Sequence, residues 1–140
     1  MDQESIVYGC IKDATDFRVD GERRQTNREA MYQLPTVDEW PYLSREMFAI
    51  PQLSINNDNY QTEVIHFGAS YKAVEYEWNL WMKKFEELLN SMYWVSAVVH
   101  LETELTGVHT FTWESKNNGH EPGAGIHQVH CQWVQENSLA

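Results

Sequence analysis

Apolar residues recur along this chain with two periods. From Val74 to Met92 they fall at 74, 78, 81, 82, 85, 88, 89 and 92. Steps of three and four predict one amphipathic helix with a wide apolar face. Glu75, Glu77, Lys83, Lys84, Glu86 and Glu87 take the other side. Burying Trp78, Trp81, Phe85, Leu88 and Leu89 would contribute ~10 kcal/mol before entropy, at roughly 2 each. After this helix the period changes to two. Val95–Glu104 carries Ala97, Val99 and Leu101 on one side. Val108–Ser115 sets His109, Phe111 and Trp113 opposite Thr110, Thr112 and Glu114. Ile126–Val134 sets His127, Val129, Cys131 and Trp133 opposite Gln128, His130 and Gln132. These are three half-buried strands, the first two joined at a Thr106-Gly107 turn.

The first half of the chain is patterned less regularly. Ser5–Ile11 is rich in β-formers and reads as a strand, with Gly9 marking a bulge or close packing against a helix. Asp20 is placed to cap a helix over Glu22–Leu34, whose apolar stripe is only Ala30, Met31 and Leu34 and which Pro35 ends. Residues 35–60 are punctuated by three prolines, with a short helix expected within Val37–Phe48 and a turn at Asn56–Asn59. Thr62–Lys72 returns to strand character. The elements predict an α+β domain spanning residues 1–140. We expect an antiparallel sheet of about five strands with two main helices on one face: a ferredoxin-like βαββαβ core plus an extra C-terminal strand. The alternation in the last three strands leaves the other sheet face polar and open.

Charge narrows the function. The net charge is −11 on 140 residues. Acidic residues are spread along the whole chain, without an acidic tail. Such a surface disfavours nucleic acid and anionic membranes and suits a basic protein partner. The N-terminus lacks the basic and apolar regions of a secretory signal, and no apolar run approaches the ~18 residues of a membrane span, so a cytoplasmic address is expected. Cys10 and Cys131 read as buried free thiols rather than a disulfide.

No cluster reads as catalytic machinery, and no cofactor is expected. Strand parity separates His127 from His130. It would place His100 and His130 on the polar face beside Glu102. A His-His-Glu site is conceivable there, but two surface histidines are the favoured reading and no metal is expected. Glu102, Glu104 and Glu114 are expected close together on an open face, as solvated charge. The serines lack a nucleophile-elbow context. The stretch Gly119–Gly125 lacks the Lys-Ser/Thr end of a phosphate loop. Arg18, Arg23, Arg24 and Arg28 read as a helix face paired to neighbouring acids. Trp40, beside Pro41 and Tyr42 and flanked by Asp38 and Glu39, is either a plug on the core edge or an exposed anchor in an acidic rim.

Three stretches carry a family resemblance: Glu4-Ser-Ile-Val-Tyr-Gly-Cys-Ile-Lys-Asp13, Asp38-Glu-Trp-Pro-Tyr-Leu-Ser-Arg-Glu-Met-Phe48 and Met92-Tyr-Trp-Val-Ser-Ala-Val-Val-His-Leu-Glu102. In general character the chain resembles the bacterial immunity proteins that neutralise polymorphic or contact-dependent toxins. The resemblance implies binding without turnover, by covering or locking the active site of a basic toxin such as a nuclease or an ADP-ribosylating enzyme. The expected interface joins Asp38, Glu39, Trp40 and Tyr42 to the polar sheet residues His100, Glu102 and Glu114. The alternative is a small-ligand-binding domain or enzyme with a pocket between the sheet and residues 35–60. A third reading is a homo-oligomer pairing its polar sheet faces.

Overall fold

A computed structural model describes residues 4–14, 20–35, 39–49, 62–115, 119–124 and 130–134. The chain forms an antiparallel sheet with two main helices. In chain order the elements are β1 (Glu4–Ala14), α1 (Asp20–Tyr32), β2 (Phe48–Ala49), β3 (Thr62–Lys72), α2 (Trp78–Asn90), β4 (Ser96–Thr103), β5 (Gly107–Glu114) and β6 (His130–Val134). The sheet order is β2-β3-β1-β4-β5-β6, and every neighbouring pair is antiparallel. Five strands were expected; the sixth is the two-residue edge strand β2, preceded by a 3-10 turn at Arg45–Met47 where the short helix was expected. Residues 126–129 of the expected last strand lie outside the described residues.

The amphipathic stripe organises the core. Trp81, Phe85, Leu88, Leu89 and Met92 are buried, as is Val74 in the 3-10 turn Val74–Glu77 that opens α2. Trp78 and Met82 are half-buried at its margin. Phe85 spans the sheet, with ring centroids 5.3 Å from Phe67 of β3 and 5.1 Å from Trp113 of β5. Trp81 stacks on both Trp78 and Phe85. Odd-numbered positions line this side: Val7 and Ile11, Ile65 and Phe67, Ala97, Val99 and Leu101, Phe111 and Trp113 are all buried.

The thin stripe of α1 is supplemented by polar ties. Buried Asn27 donates from Nδ2 to the Tyr93 carbonyl (2.9 Å), and the Tyr93 N–H donates back to Oδ1 (2.6 Å). Arg23 makes a two-pronged ion pair with buried Asp13 of β1, Nε to Oδ2 at 2.9 Å and Nη2 to Oδ1, and its guanidinium lies over the Tyr93 ring. The expected pairing of the arginines with neighbouring acids is thus corrected for Arg23: its partner is a core-side carboxylate on another element. Arg28 lies over the Tyr32 ring, and Arg18 lies outside the described residues.

Gly9 is required by a strand rather than a helix. A Cβ there would stand 1.9 Å from the Val98 carbonyl oxygen of β4. Cys10 is a free thiol. Its strand is separated from that of Cys131 by β4 and β5. Three strand spacings, about 14 Å, is twice the reach of a disulfide.

Candidate functional site

The even-numbered sheet face is not uniformly polar. Ile6 and Tyr8 of β1 are each 38% exposed there, and half-buried Cys10, Val98 and Val108 extend the apolar surface. The register fixes the neighbours. Ile6 pairs with Ser70 of β3 on one side and Glu102 of β4 on the other. Tyr8 pairs with Gly68 and His100. Paired residues share a face, so Ser70, Ile6 and Glu102 form one row and Tyr8 and His100 the next. The Tyr8 and His100 rings are 5.0 Å apart, and His100 Nδ1 shares a hydrogen bond with Thr110 Oγ1 (2.9 Å).

At the β3 end of these rows the segment 39–42 builds a wall. Lys84 of α2 holds it by the backbone, donating from Nζ to the carbonyls of Glu39 (2.7 Å) and Pro41 (2.9 Å). A buried relay holds it from below: Trp81 Nε1 donates to the Tyr71 hydroxyl (3.0 Å), which donates to the Tyr42 carbonyl. With its backbone fixed, the segment presents Trp40 and Tyr42, 39% and 48% exposed. The Trp40 ring stands nearly perpendicular to those of Tyr42 (5.3 Å) and Tyr71 (5.9 Å). Between this corner and the strands lies an open groove of about 780 Å³, lined by Glu4, Trp40, Tyr42, Ser70, Tyr71 and Lys72. Ser70 donates to Glu4 Oε1 at 2.7 Å.

Of the predicted residues, Trp40 and Tyr42 meet at the groove beside β3, with Glu39 exposed next to them. His100 and Glu102 instead lie on β4, two strand spacings (about 10 Å) across the even-numbered face from β3. Asp38 lies outside the described residues. Glu114 does not join Glu102. It pairs with Ser96 at the far end of β4, while Glu102 pairs with Val108. At ~3.4 Å per residue their Cα atoms are about 20 Å apart along the sheet. The expected clustering of Glu102 with Glu114 is corrected accordingly: equal parity puts residues on one face, not at one end. His100 and His130 also stand apart. His100 pairs with Thr110, whereas His130 pairs with Thr112 on the opposite edge of β5, so their strands are two spacings, about 10 Å, apart. Among the described residues no three His, Cys, Asp or Glu side chains are placed to share a metal ion.

Glu4, Ile6, Tyr8, Ser70 and Lys72 were missed as site residues. One signal was present. Ser5–Ile11 is apolar at odd and even positions alike, the pattern of a strand that wants cover on both faces.

His109 lies on the core side of β5, its Nε2 sharing a 2.8 Å hydrogen bond with Thr106 Oγ1. Burial lowers its pKa from 6.5, partly opposed by the Glu75 carboxylate. The folded state therefore binds this proton less readily than the unfolded chain. Stability is full above 6.5 and falls as pH drops through 6.5 toward the lowered folded value. Denaturant unfolding at pH 7.5 and 5.5 should show a smaller acid-induced loss for His109→Gln than for the parent chain. Equal losses would contradict this.

Comparison of the chain with family models, curated proteins and solved structures finds no match. Among the described residues no helix is long and apolar enough to cross a membrane.

Proposed function

We propose that this chain is an inhibitory binding protein of the immunity type, which occludes the active site of a basic protein toxin without turning over a substrate. The observation that carries the reading is the groove corner where exposed Trp40 and Tyr42 stand beside Glu4 and Ser70, next to a sheet face on which Ile6 and Tyr8 are exposed and paired with Glu102 and His100. The aromatic corner is tied to the core by Lys84 and Tyr71, so little side-chain and backbone freedom would be lost on binding. Half-exposed Trp and Tyr on a fixed backbone are the anchors that dominate protein interfaces. The net charge of −11 would steer a basic partner at rates above the neutral ~10⁵–10⁶ M⁻¹s⁻¹. The reading places the protein in the cytoplasm, where such a toxin would act.

The same proposal takes β1 through β4 as a ferredoxin-like βαββαβ unit with both helices on one face, continued by β5 and β6. Supporting it are the order β4-β1-β3-β2 with antiparallel neighbours, and helices connecting β1 to β2 and β3 to β4. Phe85 of α2 and Arg23 of α1 both engage odd-numbered strand residues. In this arrangement the helices leave the even-numbered face to the partner.

The reading expects a toxin domain in the product of the adjacent gene, and the test is co-expression with that product. Rescue of growth and a stable complex are expected. Growth arrest despite soluble expression of both chains would contradict the toxin reading. A second reading, a small-ligand site between the sheet and segment 35–60, is favoured by the groove itself, which Trp40 and Tyr42 of that segment line and whose volume falls within the usual ligand-site range of about 300–1,000 Å³. Turnover of a small substrate by the isolated chain would establish it instead.

A further inference from the structure

We infer that the groove beside Trp40 is a socket for one arginine side chain of the protein partner. The inference rests on the reading of the chain as a binder of a basic protein and names the group that anchors it.

Three features of the groove point to a guanidinium. The first is its aromatic corner. Trp40 meets Tyr42 and Tyr71 at 87° and 76°, so a planar cation entering the corner finds aromatic surface on more than one side. Trp and Tyr attract cations through the negative faces of their rings, and a guanidinium also stacks on them. The second is Glu4. Ser70 donates to its Oε1, which orients the carboxylate at the groove wall. A carboxylate has about four acceptor sites, so this bond leaves capacity for a guanidinium fork. The third is rigidity: Lys84 and the Trp81–Tyr71 relay hold the aromatic segment through its carbonyls, leaving the rings of Trp40 and Tyr42 to the groove.

Charge complementarity selects the occupant. The molecule carries −11 overall, and Glu39, next to Trp40, and Glu102 on β4 are exposed. Two cations oppose this charge: Lys84, whose Nζ is bonded to the Glu39 and Pro41 carbonyls, and Lys72, which lines the groove. Lys72 is a like charge at the groove that repels an incoming cation, so its removal should strengthen binding. An arginine suits this site better than a lysine because its flat, weakly hydrated head can stack and fork at once.

The test needs no partner protein. N-acetyl-arginine methylamide is titrated into the isolated chain while the Trp40 indole N–H resonance is followed; that resonance is assigned by its disappearance in Trp40→Leu. A saturable shift with a dissociation constant in the millimolar range is expected. The uncharged citrulline analogue should bind at least tenfold more weakly. Trp40→Leu, followed at the other groove resonances, should lose about tenfold in affinity. The isosteric Glu4→Gln should lose about fivefold, and Lys72→Met should gain severalfold. Citrulline binding equal to arginine, a lysine probe binding more tightly, no saturable shift at tens of millimolar, or indifference to Glu4→Gln and Lys72→Met would each overturn the socket. Failed growth rescue, in contrast, removes the toxin partner and leaves the titration unaffected.

Discussion

Trp81→Ala should lower the unfolding free energy by about 3–5 kcal/mol. Trp81 is fully buried between the rings of Trp78 and Phe85. Truncation removes most of a large aromatic surface, and the surrounding sheet and helix can close only part of the space. It also strips the Tyr71 hydroxyl of its indole donor. Because that hydroxyl supports the Tyr42 carbonyl, the variant should loosen the Trp40 segment as well as the core. Chemical denaturation monitored by far-ultraviolet circular dichroism measures the first effect. A loss below about 1 kcal/mol would mean that Trp81 is not the packed centre of the fold.

Arg23→Met should cost about 3–5 kcal/mol, by a different mechanism. Asp13 is buried, and both its carboxylate oxygens are held by the Arg23 guanidinium. Removing the cation leaves a desolvated charge without that partner. The cost belongs to the orphaned carboxylate rather than to the pair, so the double variant Asp13→Leu/Arg23→Met should recover a large part of it. A double variant as unstable as the sum of the two single ones would show that the pair is not coupled. The cation over Tyr93 adds a smaller loss common to both Arg23 variants.

The parts of the fold visible in the sequence are those in which one period persists. Val74–Met92 repeats through five turns, and its stripe is the observed core. Thr62–Lys72 is the observed β3, and β4 and β5 lie within a residue of their expected ends. The failures have physical causes. Parity tells which face Glu102 and Glu114 share but carries no position along the ladder; the β4–β5 register sets that, and it puts them at opposite ends. Asp13 and Arg23 are ordinary surface types, and only the packing of α1 against β1 makes them a buried pair. The polar open face was inferred from β4 to β6, whereas its apolar strip comes from Ile6 and Tyr8 on central β1. Trp40 and Tyr42 were visible as a candidate anchor. Their partners Glu4, Ser70 and Lys72 were not, because only the β1–β3 register brings Glu4 opposite Lys72, far away in sequence.

The most direct test of the proposed function is the kinetics of complex formation with the toxin domain that this proposal expects in the adjacent gene product, at two salt concentrations. We expect a one-to-one complex whose association slows as ionic strength rises. Trp40→Ala should leave association nearly unchanged and speed dissociation by a factor worth ~2 kcal/mol or more. Reversing Glu102 to Lys should slow association and flatten its salt dependence. A complex indifferent to salt and to Trp40, or no complex at micromolar concentrations of both proteins, would contradict the assignment of this acidic, aromatic surface as the inhibitory interface.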